Sequence, residues 1–368
     1  MSAPMVVTAL QTRKERISES RLHTSTQSAQ LAAGEVLFKL SRFGLTTNNV
    51  TYAALGSGPL NYWAFFPTDD PAWGHVPVWG FAEVVASAQA DVAIGERFYG
   101  FFPMCSHVSM RPERITERGF TDGVAHRSGL AAVYNQYTRC SADLAYDVSL
   151  ENHQVLLRPL FLTAFVLADF LLDNGFFGAQ QVLVSSASSK TAFGTAYCLQ
   201  GGQVPLLALT SARNLQFVEN LGCYSQVVDY RQLSELDSKM ATLYLDFSGD
   251  ETLRVRLHQH FAKQLTYHCF VGTAQAAHTP DFADLGGAAP QFFFAPTQIR
   301  KRIAQWGAEG FNLRFNEQQA RFFQLTCAPG NAWLEVHEAK GWFAVPALLD
   351  ALHAGTVPAN VGHTVLLP

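Results

Sequence analysis

The first third of the chain alternates polar and apolar positions. Beyond Gly34, Glu35, Leu37, Lys39 and Ser41 alternate with Val36, Phe38, Leu40 and Arg42, which sets three apolar side chains on one face of a strand that Gly44 is expected to break. Asn48, Asn49, Gly56, Ser57, Gly58 and Pro59 then mark a turn-rich segment with Tyr52 in its middle. Residues 60–81 hold Tyr62, Trp63, Phe65, Phe66, Trp73, Trp79 and Phe81, either a packed core or the wall of an apolar pocket. Residues 76–86 and 95–100 read as strands joined by a turn. Residues 1–33, rich in Ser, Thr and Gln, read as a strand edge or a loosely ordered approach.

From residue 158 the pattern changes. Residues 158–172 form an apolar helix, and short apolar runs follow at 182–184, 204–209, 227–229, 242–247 and 265–271, separated by helix-compatible segments. This alternation predicts a parallel sheet covered on both faces, with ligands bound at the C-terminal ends of its strands. Ser211, Tyr230, Ser248, Gly272 and Thr273 stand at or just after those ends. Residues 292–295 would add a sixth strand, and Pro296 would start a helix whose Arg300, Lys301 and Arg302 form a solvated face. A last helix is expected at 347–353 and a last strand at 364–367.

The most chemical stretch is residues 181–200, QVLVSSASSKTAFGTAYCLQ. A β-branched run meets a serine turn, and a helix begins near Lys190, so loop N–H groups and the positive end of a helix dipole converge on an anion. Ser188, Ser189, Lys190 and Thr191 are the candidate ligands. The glycines of a G-x-G-x-x-G loop are missing, which leaves an ordinary strand-to-helix turn as the competing reading. A Walker A loop fails as well, because Val184 and Ser189 stand where its two glycines belong. The second strand ends in Thr210-Ser211-Ala212-Arg213-Asn214; it carries no acid for the ribose hydroxyl of NAD, and Ser211 and Arg213 suit the 2′-phosphate of NADP(H).

Composition narrows the class. A length of 368 residues predicts two domains, and 48% hydrophobic with 15% charged residues describes a well-buried globular protein. The net charge of −4 gives nucleic acid no electrostatic footprint. The apolar helix carries Asp169 and ends at Asp173, so it is expected to be a core helix rather than a membrane span, and the N-terminus lacks the apolar segment of a signal peptide. The six cysteines are scattered, which argues for a reducing, cytoplasmic setting and against a closed zinc site. His75, His107 and His126 have no thiol or carboxylate at ligand spacing and are expected to be surface or hydrogen-bonded histidines.

The order of these features, namely an L-T-A helix around Thr163, the V-L-V strand, the small-residue loop, a second strand ending in S-x-R, then LGCYSQVVDY (221–230) and LDFSG (245–249), resembles the zinc-free quinone oxidoreductase branch of the medium-chain dehydrogenase/reductase superfamily. Nearest is a set of uncharacterised proteins at that superfamily's edge, grouped as a domain of unknown function. The resemblance implies an α/β fold: a GroES-like β-barrel catalytic domain over residues 1–155, completed by about 325–368, and a Rossmann doubly wound domain over 156–324. It implies an NADPH-dependent, zinc-independent reductase of an activated C=C or carbonyl in an apolar small molecule, with hydride delivered in a cleft between the domains. Tyr52, four residues before Gly56, would be the proton donor or the group that polarises the carbonyl, Asn49 would take the place of the family's usual aspartate, and Thr163 would hold the nicotinamide. The zinc-dependent members' ligand positions hold Thr46 or Thr47 and Phe81 here. A homodimer paired through Phe292, Phe293 and Phe294 is also implied. The alternative is a catalytically silent NADPH-binding sensor or partner protein of the same fold.

Overall fold

A computed structural model describes residues 4–28, 30–58, 60–271, 286–328, 330 and 333–368. Its contacts divide the chain into two units, Met1–Leu156 with Val336–Pro368, and Leu157–Glu335.

The first unit opens with an antiparallel hairpin, β1 (Met5–Arg13) and β2 (Arg16–Gln27), turning at Lys14 and Glu15. Of the two readings of this segment, the strand holds and the loose approach does not. The hairpin's second strand has no buried position, only exposed and half-buried ones, so no apolar alternation announced it. β3 (Val36–Leu45) follows and runs through Gly44 instead of ending there. A Cβ on Gly44 would lie 2.7 Å from the Val155 carbonyl oxygen, so the glycine permits a close backbone approach rather than a turn. Residues 47–54, expected as turns, form helix α1 (Thr47–Ala54). Thr46 Oγ1 accepts from the Asn48 N–H and Asn49 Oδ1 accepts from the Thr46 N–H, a capping box written with asparagine in place of glutamate. β4 (Trp73–Gly74) joins the first hairpin.

The main sheet of this unit uses β3, β5 (Pro77–Ser87), β6 (Arg97–Pro103), β7 (His107–Met110), β8 (Pro112–Thr116), β9 (Gly119–Asp122) and β10 (Gln136–Arg139). Only Arg111 separates β7 from β8. β7 pairs with β3 while β8 pairs with β9, and β9, β10, β6 and β5 lead back to β3, so the two ends of this path are joined along the chain where Arg111 links β7 to β8. Phe38, Phe43, Phe65, Phe98, Phe101 and Phe102 are fully buried in its core.

Helix α2 (Glu151–Asp173) carries the unit boundary within it. By length and composition it could cross a membrane, yet Leu156, Leu157, Phe161, Ala164, Val166, Leu167 and Leu171 are buried, as in a core helix. The second unit then alternates β11 (Gln181–Val184), α3 (Lys190–Leu199), β12 (Leu206–Thr210), α4 (Leu215–Asn220), β13 (Gln226–Asp229), β14 (Thr242–Asp246), α5 (Glu251–Phe261), β15 (Leu265–Phe270) and β16 (Pro290–Phe292). All six strands are parallel, in the order β13-β12-β11-β14-β15-β16, so the order reverses between β11 and β14. That is the doubly wound dinucleotide fold, and its switch point is where such sheets take ligands.

α6 (Ala295–Thr326) closes the unit, bent at Gly307. Of its basic start, Arg300 and Lys301 are exposed as expected, but Arg302 is not part of a solvated face. Arg302 is buried and pairs with Asp169 at 2.6 Å and Asp173 at 3.0 Å, and Lys301 also meets Asp173. The acids on α2 answer those cations, a pairing that the local pattern could not display. The chain returns to the first unit at Val336, after α6 has ended at Thr326. β17 (Glu335–Lys340), α7 (Val345–His353) and β18 (Val361–Leu366) complete it, with β18 pairing with β3.

Candidate functional site

At the end of β11 the backbone turns through Ser185 to Ser189 into α3. Ser189 caps the helix, its hydroxyl accepting from the Ala192 N–H at 3.4 Å, and no acid lies in the first turn. Lys190 opens that turn. Burial pushes its ammonium down to about 8, since neither a low dielectric nor the positive end of a helix favours a cation. A bound anion would reverse that cost. Ser188, Ser189, Lys190 and Thr191 are all half-buried.

The turn after β12 reaches the same loop. Asn214 donates its side-chain N–H to Ser188 Oγ at 3.1 Å, and beside it Ser211 is half-buried and Arg213 exposed. Arg213 has no hydrogen bond or ion pair among the described residues. Ser186 sits at φ +47°, where glycine is the usual occupant, and its N–H donates to the Tyr230 hydroxyl at 2.8 Å. Tyr224, which the sequence did not single out, donates to the Ala187 carbonyl at 3.1 Å from the other side.

The end of β14 is organised differently. Asp246 is buried, and its Oδ1 accepts from the N–H groups of Ser248 and Gly249 at 2.9 and 3.0 Å and from the hydroxyls of Ser248 and Ser185 at 2.7 and 3.1 Å. Its Oδ2 meets the Arg254 guanidinium. Burial alone would raise this carboxyl, but His268 and Arg254 outweigh it and hold the group well below the usual carboxylate range. At 3.9 Å His268 lies beyond hydrogen-bond reach, so the Arg254 contact is the main hold. Ser248, expected as a cofactor ligand, spends its hydroxyl here. Thr163, half-buried on α2, bonds back to the Pro159 carbonyl at 3.4 Å. Gly272 and Thr273 lie outside the described residues.

In the first unit, Tyr52 on α1 is buried against Tyr62, Phe101 and Tyr134. Two donors converge on its oxygen: Asn48 Nδ2 at 2.7 Å and Trp79 Nε1 at 3.1 Å. Asn49 is committed elsewhere, its Oδ1 to the helix cap and its Nδ2 to the Pro77 carbonyl at 2.9 Å. The polar neighbour of the Tyr52 hydroxyl is thus Asn48, one residue earlier. A helical i, i+4 spacing connects the two, a signal hidden while the segment read as turns. Burial, with Tyr134 nearby, raises Tyr52 well above the ordinary phenol value, and the Trp79 and Asn48 hydrogen bonds act the other way. Tyr62 and Tyr134 share a hydroxyl contact of 2.9 Å. Among the described residues no group of three or more His, Cys, Asp or Glu side chains could hold a metal ion.

The model of a family described as protein of unknown function (DUF2855) matches residues 43–358. The chain belongs to that family. No curated protein matches the sequence. Among solved structures, CurA from Vibrio vulnificus in complex with NADPH is 13% identical with a TM-score of 0.63, covering 100% of this chain and 99% of its own. The quinone oxidoreductase from Coxiella burnetii is 13% identical with a TM-score of 0.54, covering 99% and 100%. The yhdH oxidoreductase from Salmonella enterica in complex with NADP is 12% identical with a TM-score of 0.53, covering 100% of both chains. At such identities the likeness concerns the fold, which for this DUF2855 member is the medium-chain dehydrogenase/reductase fold.

Proposed function

We propose that this protein is an NADPH-dependent reductase that acts, without zinc, on an activated C=C or carbonyl of an apolar substrate. One observation carries the cofactor assignment. β12 ends without an acid on exposed Arg213, and Asn214 ties that turn to the serine loop before α3, so a cation, a helix N-terminus and small hydroxyls serve one anionic ligand. In this reading Ser188, Ser189, Lys190 and Thr191 hold the pyrophosphate, Ser211 and Arg213 the 2′-phosphate, and Thr163 and Tyr230 the remainder. The fold shared with proteins solved with NADPH or NADP supports it. When bound, the reduced nicotinamide supplies the hydride.

Tyr52 supplies the complementary chemistry. Hydride addition to a conjugated system moves negative charge onto the carbonyl oxygen, and a phenol aimed there stabilises the transition state more than the ground state. Burial keeps Tyr52 protonated, so in this reading it donates a hydrogen bond to the developing oxyanion, and that oxyanion takes its proton from Tyr52, which is reprotonated by water. The test is NADPH oxidation with enones and quinones. Tyr52→Phe is expected to lower kcat by about 10²-fold with NADPH affinity unchanged; an unchanged kcat would reduce Tyr52 to packing. Elemental analysis giving about one zinc per chain would overturn the zinc-free assignment.

A silent NADPH-binding protein is the second reading, favoured by Ser186 in a left-handed conformation and by the Tyr230 hydroxyl on its N–H. NADPH binding with no turnover of any acceptor would establish it. For assembly we propose a homodimer through β16, since Phe292 and Phe294 are exposed beside an edge strand. A monomer by light scattering at micromolar concentration would refute that.

A further inference from the structure

We infer that Asn48 and Trp79 are positioning residues that orient the Tyr52 hydroxyl, filling its oxygen with donated hydrogen bonds so that its own proton is offered to a ligand's oxygen. The inference rests on the Tyr52 assignment above and adds the means by which the phenol is given its polarity.

A buried phenol has one proton to give and room for about two accepted hydrogen bonds. The indole N–H of Trp79 can only donate, and it lies 3.1 Å from the Tyr52 oxygen; the Asn48 amide nitrogen lies 2.7 Å away. No described residue accepts the Tyr52 proton. A hydroxyl loaded in this way is polarised, because donors on the oxygen make its own O–H a better donor. The surroundings keep the arrangement dry and neutral. Tyr62 lies 4.6 Å from the Tyr52 ring, Phe101 5.3 Å and Tyr134 6.3 Å, each measured between ring centroids. Trp79 is itself fixed, stacked on Tyr99 at 5.5 Å with an 18° interplanar angle and packed on Phe101 at 5.2 Å. Asn48 is fixed by α1, whose cap at Thr46 accepts the Asn48 N–H. Both donors therefore come from rigid elements, a barrel strand and a capped helix.

The ligand class follows from this polarity. A group that offers a proton from a neutral aromatic lining selects an acceptor oxygen that gains charge during reaction, such as the carbonyl of an enone or quinone, over a ligand that must itself donate.

Asn48→Asp separates the possibilities. A carboxylate can only accept, so it pulls the Tyr52 proton inward. The experiment compares Trp79→Phe, Asn48→Ala and Asn48→Asp, each with and without Tyr52→Phe, and reads kcat, KM, NADPH affinity and the tyrosine Raman doublet in the wild-type minus Tyr52→Phe difference. That doublet distinguishes an accepting phenol from a donating one and needs no turnover. The expected result is an accepting signature in the free protein that is lost in Asn48→Asp. Activity is expected to fall about tenfold in kcat for Trp79→Phe, the size of one lost hydrogen bond, and further for Asn48→Asp, with KM and NADPH affinity little changed. None of the three should lower the rate that remains in Tyr52→Phe. Equal losses in both backgrounds, or a donating signature in the free wild type, would overturn the inference. If the wild type reduces no carbonyl acceptor, the functional assignment falls and the Raman comparison alone decides the hydroxyl's polarity.

Discussion

Two neighbouring strands of the parallel sheet end in similar polar sequence and use it in opposite ways. After β11, the serines lead into a helix start with a half-buried cation and no acid in the first turn, and Asn214, next to exposed Arg213, which has no ion pair among the described residues, bonds to Ser188. After β14, Ser248 and Gly249 fold back on Asp246, which also binds Ser185 and Arg254. The first end gives up Ser185 to Asp246 and the Ser186 N–H to Tyr230 but keeps Ser188, Lys190 and Thr191 half-buried at a helix start; the second consumes its donors internally. What separates them is one buried carboxylate. An acid at the end of a strand gathers every N–H and hydroxyl in reach, and where the acid is missing those donors remain for a ligand.

Removing that acid should give the largest effect. Asp246→Asn strips the charge from the partner of buried Arg254, and an uncompensated buried charge costs roughly 3–5 kcal/mol. Denaturant unfolding of the variant against wild type at neutral pH measures it. The sign with pH follows from the depressed carboxyl: its stabilisation is present above the ordinary Asp value of about 4 and is lost as pH falls through the lower folded value. The gap between wild type and variant should therefore close in acid. A gap that stays constant down to low pH would mean that Asp246 is held by shape rather than by charge.

The presenting end is tested next. NADPH is expected to bind at least about tenfold tighter than NADH, and Arg213→Ala should remove most of the difference, which is the size of a charge-assisted hydrogen bond to phosphate. Equal affinities by calorimetry would place the 2′-phosphate elsewhere or nowhere. Ser248→Ala sharpens the contrast at lower cost. It should lower stability by about 1 kcal/mol through the lost bond to Asp246 and leave NADPH affinity within about twofold. A larger loss of affinity would move Ser248 back among the cofactor ligands.

The same contrast explains what the sequence could tell. β11, β12, β14 and β15 were legible because a strand buried on both faces must be apolar throughout, and their burial is nearly complete. β2 was not, because all of its positions are exposed or half-buried and its side-chain ties to β1, Arg21 to Gln11 and Glu19 to Arg13, are polar. Helix α1 was hidden because Thr46, Asn48 and Asn49 read equally well as turn residues, and only the cap geometry separates the two readings. The strand, serine loop and helix start at β11 and α3 were legible from local order. The burial of Arg302 depends on Asp169, far away in the chain; Ser248 meets Asp246 two residues earlier and Asn48 meets Tyr52 four residues on, spacings that acquire meaning only once the turn after β14 and the helix α1 are known.

The smallest expected effect isolates Lys190. Burial has lowered its ammonium to about 8 in the unliganded protein, so a measurable fraction is neutral near physiological pH. An anion bound at the start of α3 favours the charged form, and linkage then requires proton uptake on binding at pH values above 8. Affinity should be flat below pH 7, weaker by about twofold at pH 8 where half the lysine is neutral, and should decline more steeply above it. Lys190→Met should bind more weakly at pH 7 and lose the dependence, while Arg213→Ala, which leaves Lys190 in place, should keep it. Calorimetry in two buffers of different ionisation heat reads the proton uptake directly. A wild-type affinity that stays constant from pH 7 to 9 would remove Lys190 from the anion site and leave the helix dipole, the serines and Arg213 to hold the phosphates.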